Sequence, residues 1–353
     1  MSHPLIALAN DRDVRRAASF RAKAAQLGGE GLRADFEEEK ANAPRLHDAG
    51  RRYLVTRGGK PASERRRNRD EEHLGAALVR HCRETGAGLV LPGDEGELLP
   101  IDYKVRVKPG PADDPATKGI ERVDLLALAA GDRLTVAELR FAEPGATRIG
   151  VGDTPLRALL QGLAYVAIAE ACRSDVSDEI DERVGRKASD EPPLLILLAS
   201  PRYWELSRKR EAQKGAAWIK EMERLAREIE VEVGVGVRYL SLHLEGEPGW
   251  TYDEKGPLLT GGPRLGPAWE YGAGRVKPRA RPRPRPSAPA EVIVEPDLSR
   301  PVVPYAVTGQ FTAGDRIAHP VLGEGVVQGI AGPGKIRVRF EGRQSVLVHE
   351  RPA

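Results

Sequence analysis

At 353 residues the chain has room for about two domains, and a net charge of +3 with 30% charged residues does not by itself announce a nucleic-acid binder. The two cysteines, Cys82 and Cys172, sit among apolar neighbours with no CxxC or Cys/His cluster, which argues against a disulfide scaffold and a zinc site. No apolar run is long enough for a bilayer, and Met1-Ser2-His3-Pro4 opens no basic-then-apolar leader, so the expectation is a cytoplasmic protein with no membrane contact.

Residues 12–27 read as helix and the next forty as charged and irregular. The basic residues Arg51, Arg52, Arg57, Lys60, Arg65, Arg66, Arg67 and Arg69 crowd that stretch. Such runs form solvated faces or contact phosphate. A stronger helix is expected from about Asp70 to Glu84, with Leu74, Leu78 and Cys82 on one stripe. Three strands follow. The first, Leu99 to Val107, alternates Ile101, Tyr103, Val105 and Val107 with Asp102, Lys104 and Arg106. The second, Glu121 to Leu128, carries Asp124. Ala130-Gly131-Asp132 turns into the third, Leu134 to Phe141, which carries Glu138-Leu139-Arg140.

Asp153 or Thr154, then Pro155, opens a capped helix running to about Cys172. A charged loop leads to Pro193–Ala199, whose unbroken apolar run suits a strand buried on both faces. Ser207 to Glu230 is amphipathic through Ile219, Met222, Ala226 and Ile229, and Val231 to Leu244 reads as a closing strand. From about Gly262 to Val307 the chain is rich in Pro and Arg, including Arg279, Arg281, Arg283 and Arg285, which predicts an extended linker. Phe311 to Arg351 reads as a small β module. Two apparent phosphate loops fail. Gly329 to Lys335 is followed by Ile336 in place of Ser or Thr, and Gly234 and Gly236 lack a third glycine, since Tyr239 stands there.

The order helix, three strands, helix, strand, helix, strand predicts an α/β fold with a mixed central sheet flanked by helices. Glu138 and Arg140 are two apart on a strand, and Gln161 and Tyr165 four apart on a helix, so each pair shares a face. With Asp124, with Glu138-Leu139-Arg140 and with Gln161-Gly162-Leu163-Ala164-Tyr165 as a QxxxY segment, residues from about 70 to 244 resemble the PD-(D/E)XK nuclease superfamily, above all its RecB-like branch. The resemblance implies a restriction-endonuclease-like core. In it Asp124, Glu138, the Leu139 carbonyl and an inward Glu71 hold magnesium or manganese. Arg140, where the family has Lys, assists catalysis, and Gln161 and Tyr165 approach the substrate. Glu72 is the second choice after Glu71, and Lys104 could compensate for the missing Lys.

The segment Phe311-Thr312-Ala313-Gly314-Asp315-Arg316-Ile317-Ala318-His319-Pro320, then Gly323-Glu324-Gly325-Val326-Val327, resembles the C-terminal Tudor-like module of UvrD/PcrA-type helicases. That implies an SH3/Tudor-like β-barrel over 308–353 that contacts RNA polymerase, repair proteins or nucleic acid. The expected organisation is a helical, basic extension at 1–69, a nuclease-like domain at 70–261, a linker at 262–307 and the β module at 308–353. The expected activity is a metal-dependent DNA nuclease or nuclease-derived DNA-processing protein, in repair or defence. The alternative is a non-catalytic DNA-binding adaptor that reaches transcription or repair machinery through its C-terminal module.

Overall fold

The structure, a computed structural model, describes residues 3–54, 62–66, 69–108, 120–209, 217–269 and 293–350. Two compact units emerge, Met1–Lys277 and Pro278–Ala353. Among the described residues no helix is long and apolar enough to cross a membrane.

The first unit opens with four helices: α1 (Pro4–Ala9), α2 (Arg12–Arg15), α3 (Phe20–Gln26) and α4 (Gly29–Ala41). The reading of residues 28 onward as irregular is corrected by α4. Its Leu32 and Phe36 are buried, yet its charged residues dilute the apolar stripe that would have announced it. Glu39, fully buried in α4, accepts from the Leu5 amide at 3.2 Å and contacts His3 Nδ1 at 2.6 Å, so it caps α1 from a distance.

Next come α5 (Asp70–Thr85) and strands β1 (Leu89–Val90), β2 (Glu97–Arg106), β3 (Arg122–Ala129) and β4 (Arg133–Arg140). α5 starts on Asp70, Glu71 and Glu72, where the helix dipole favours acids, and stops at Gly86 in the left-handed conformation, φ 69°. α6 (Pro155–Ala171) is followed directly by α7 (Arg173–Val184). Here the expected charged loop is corrected. α7 buries only Val176, Ser177, Glu179 and Ile180, too narrow a stripe to stand out from its charges. β5 (Leu194–Ala199), α8 (Pro201–Lys209), α9 (Ala217–Glu228), a π-turn over Ile229–Val233 and β6 (Gly236–His243) complete the expected order. A hairpin of β7 (Trp250–Asp253) and β8 (Gly256–Leu259) and an edge strand β9 (Arg264–Pro267) were not foreseen.

The seven-stranded sheet has the order β1-β2-β3-β4-β5-β6-β9. β2, β3 and β4 are antiparallel, β4, β5 and β6 parallel, and β9 runs antiparallel to β6. It is a mixed central sheet between two apolar layers. One holds α1–α4, α6 and residues of α7–α9, the other α5 and the β7–β8 hairpin through Trp250. β5 is buried along its whole length, as its unbroken apolar run requires. Leu5, Ile6, Val14, Phe20 and Phe36 share the α6 core, so the N-terminal segment is part of this unit rather than an appendage. β9 and the buried Trp269 also shorten the expected linker, whose residues 270–292 lie outside the described ones.

The second unit is a five-stranded sheet in the order β10 (Val303–Pro304), β11 (Arg316–His319), β12 (Gly323–Gly332), β13 (Lys335–Phe340) and β14 (Arg343–Val348). Its core is Phe311, Ile317, Val327, Ile336, Val338 and Phe340. A Cβ on Gly325 would stand 2.6 Å from the Phe340 ring, so glycine is required where β12 crosses it.

Candidate functional site

The last paired residues of β3 and β4 on this side are Leu125 and Ala137. Beyond them Asp124 takes over from the backbone ladder: its Oδ2 accepts from the Leu139 amide at 3.0 Å. On the same face of the sheet, Arg140 runs between the carboxylates of the two strands. Its Nη1 reaches Asp124 Oδ2 at 3.1 Å and the Leu139 carbonyl at 2.6 Å. Its Nη2 reaches Glu138 Oε2 at 3.1 Å and Gln161 Oε1 at 3.3 Å. Its Nε pairs with Asp153 Oδ1 at 2.7 Å. Burial opposes the charge of Arg140, but Asp153, Glu138 and Asp124 hold its pKa well above the usual value.

Lys104 completes the group from β2, where the pairs Tyr103–Leu125 and Val105–Val123 set it opposite Asp124. Its Nζ pairs with Asp124 Oδ1. The backbone of Lys104 is left-handed, φ 48°, a strained conformation for a side-chain-bearing residue in a strand, and a register shift lies just upstream between Pro100 and Asp102. Burial disfavours the ammonium, yet Asp124 more than offsets this and its pKa is raised.

α6 brings the last pieces. Thr154 is the residue that caps it, accepting from the Arg157 amide at 3.2 Å, which leaves Asp153 to hold Arg140. Gly162 lets the helix settle on the sheet: a Cβ there would lie 2.5 Å from Leu195 Cδ1 and 3.0 Å from Glu138 Cγ. Gln161 therefore reaches Arg140 with its oxygen while its Nε2 donates to the Tyr165 hydroxyl at 3.0 Å. That hydroxyl also accepts from the Glu121 amide at 3.2 Å. Gln161 and Tyr165 are both buried, so as placed they position Arg140 and the start of β3 rather than meet solvent. Glu71 reaches the end of β4, its Oε1 accepting from the Phe141 amide at 3.3 Å; Glu72 instead pairs with Arg69 at 3.4 Å.

The carboxyls outnumber the cations. Glu71, Asp124, Glu138 and Asp153 face Lys104 and Arg140, with Arg157 acting on Asp153 as well. Burial pushes the Glu138 carboxyl up to about 8; Asp124 beside it adds to the shift, while Arg140 and Lys104 oppose it. Burial also raises Glu71 and Asp153. Glu138 Oε1 is buried with no hydrogen-bond partner. An orphaned buried carboxylate oxygen beside an excess of acids is a place where additional positive charge is favourable.

These residues fit a hard divalent ion in kind. Asp124 Oδ2, Glu138 Oε2 and the Leu139 carbonyl all lie within hydrogen-bond distance of one guanidinium, and magnesium needs only one or two protein carboxylates. The same contacts also mean that Arg140 holds those oxygens. Among the described residues no three Asp, Glu, His or Cys side chains gather closely enough to hold an ion.

Glu71, Lys104, Asp124, Glu138, Leu139, Arg140, Gln161 and Tyr165, all named from the sequence, lie in this one region, and Glu72 pairs outside it with Arg69. Asp153 was missed as a site residue because, two positions before Pro155, it reads only as a cap, and its contact with Arg140 is long-range. The chain matches no family model, no curated protein and no solved structure.

Proposed function

We propose that the first unit is a nuclease-type domain of the PD-(D/E)XK kind that hydrolyses phosphodiester bonds in DNA with magnesium or manganese. The observation that carries this reading is the acid-rich cluster on one sheet face, with Glu138 Oε1 buried and unpartnered and Asp124, Glu138 and the Leu139 carbonyl within reach of one cation. Asp124, Glu138 and the Leu139 carbonyl would hold the metal, with Glu71 at the margin. A bound metal ion supplies polarisation of the phosphate and a lowered pKa for water. Arg140 remains cationic at any working pH, so its role is to neutralise charge on phosphate oxygens, not to move a proton. Lys104 offers a second cation from β2. Gln161 and Tyr165 fix the angle from which Arg140 acts.

A second reading is favoured by one specific observation: the guanidinium of Arg140 already contacts one oxygen of Asp124, one of Glu138 and the Leu139 carbonyl. On that reading the cluster is neutralised from within, and the unit is a DNA-binding adaptor without catalysis. The second unit, read as a Tudor-like module, would then tether it to RNA polymerase or repair proteins; its small closed core and short strands agree with such a module.

One pair of measurements separates the two. Calorimetric titration with magnesium and manganese, and cleavage of supercoiled and linear DNA, are run on the parent and on Asp124→Ala. Metal binding and cleavage that both vanish in Asp124→Ala support the nuclease. DNA binding without either, unchanged in Asp124→Ala, supports the adaptor and overturns the nuclease.

A further inference from the structure

A cleft of about 560 Å³ opens between the 51–54 segment, α7 and the end of β2. Four arginines line it: Arg51, Arg52, Arg106 and Arg183, with Glu179 and Glu182. The acids are already engaged, and Glu179 also stands 3.6 Å from Arg52 Nε. Glu179 is buried and accepts from the Tyr53 amide at 3.0 Å, the Leu54 amide at 2.7 Å and His47 Nε2 at 2.7 Å. Glu182 pairs with Arg52, and Asp102 neutralises Arg183 at 2.8 Å. Arg51 and Arg106 have no carboxylate partner among the described residues. Arg106 is half-buried, so its guanidinium has given up part of its hydration without gaining a counter-charge.

We infer that this cleft is a phosphate-binding site, with Arg51 and Arg106 as its primary ligands. A planar guanidinium matches phosphate oxygens in bidentate geometry, and a pair of uncompensated guanidiniums in one recess selects a multiply oxygenated anion over a simple halide. Arg52 and Arg183, each shared with a carboxylate, hold the walls and add positive potential. Arg106 stands two residues along β2 from Lys104, about 7 Å at strand spacing, and Lys104 touches Asp124. The cleft therefore adjoins the candidate site, and a nucleic-acid backbone is the favoured source of the phosphate. That choice of source rests on the reading of the first unit as a DNA-processing domain; the phosphate chemistry does not.

The test uses the full chain without divalent metal, so that cleavage plays no part. Two probes are titrated: a short labelled DNA duplex, followed by fluorescence anisotropy at several salt concentrations, and inorganic pyrophosphate, followed by calorimetry. Variants are the pair Arg51→Gln with Arg106→Gln, and the charge-preserving pair Arg51→Lys with Arg106→Lys. For a backbone phosphate, the Gln pair weakens duplex binding roughly tenfold and lowers the slope of log affinity against log salt by about 2, while the Lys pair keeps most of the slope. If pyrophosphate binding is lost in the Gln pair while duplex binding is unchanged, the site stands and its ligand is a free phosphate compound. If a Gln pair that unfolds at the parent temperature binds both probes like the parent, or the parent binds neither, the inference is overturned. Asp124→Ala separates this result from the nuclease reading: it removes cleavage if that reading holds, and leaves phosphate binding at the cleft untouched in either case.

Discussion

Replacing Arg140 with Ala probes how the acid cluster is held. The guanidinium contacts Asp124 at 3.1 Å, Glu138 at 3.1 Å, Asp153 at 2.7 Å, Gln161 at 3.3 Å and the Leu139 carbonyl at 2.6 Å. Asp124, Glu138, Gln161 and Leu139 are buried and Asp153 is half-buried. Breaking a buried ion pair from one side costs about 3–5 kcal/mol, because the remaining charge is left uncompensated. For a unit of this size each kcal/mol moves the unfolding midpoint by roughly 2–4 °C, so Arg140→Ala should lower it by about 6 °C or more. The deficit has a definite pH dependence. Glu138 already has a folded-state pKa of about 8, above its ordinary value, and loses its nearest opposing cation in the variant. A carboxyl with a raised folded pKa is protonated in the folded state while the unfolded chain ionises, so its cost is absent below about pH 4.5 and grows as pH rises towards 8. Arg140→Ala should therefore regain stability on acidification. A divalent ion that enters the vacated position stabilises in proportion to its saturation, about 2.7 kcal/mol at a hundredfold excess over its Kd. The assay is thermal unfolding from pH 5 to 8, with and without magnesium. A variant within about 1 kcal/mol of the parent across that range would mean that the guanidinium does not hold these acids in solution, and the reasoning fails.

Glu179→Ala should cost about 2–5 kcal/mol, since the Tyr53 and Leu54 amides lose their acceptor; protection of residues 46–54 against hydrogen exchange should fall first. The same variant should weaken a pH effect. His47 has its pKa raised chiefly by its hydrogen bond to Glu179 and also by Asp175, so its stabilisation is full below about pH 6.5 and is lost as pH rises through the folded value, a slope that thermal unfolding of Glu179→Ala should show much reduced. Gly162→Ala should destabilise by about 1–3 kcal/mol through overpacking against Leu195 and Glu138, and should lower DNA cleavage at constant DNA affinity because Gln161 is displaced from Arg140. A chain ending at residue 269 should keep the cooperative unfolding of the first unit, whose core, among the described residues, draws on none beyond Trp269, and a lost transition would refute that independence.

The sheet was legible in the sequence where its pattern is strong. Leu194–Ala199 is apolar without interruption because both its faces are covered, and Asp124, Glu138 and Arg140 stood out as an Asp on one strand followed by a Glu-x-basic triplet on the next. α4 and α7 escaped notice for the opposite reason: their buried stripes are narrow and their remaining positions charged. The reach of Asp153 to Arg140 and of Glu39 to the start of α1 left no mark in local spacing, since both depend on how distant elements meet. β7, β8 and β9 are only four residues each, too short for alternation to declare itself.

The hydroxyl of Tyr165 ties the backbone just ahead of β3 to the side chains at the far end of β4. It takes the Glu121 amide on one side and Gln161 on the other, and Gln161 holds Arg140. Glu121 is the residue just ahead of β3, so the placement of its backbone and the grip on Arg140 are thermodynamically linked. Anything that draws Glu121 away from Tyr165 takes one hydrogen-bond donor from the phenol, frees Gln161 to turn, and loosens the guanidinium. By reciprocity, whatever pulls Arg140 out of its cluster must also relax the hold on the Glu121 amide, and a ligand bound at either place would be felt at the other.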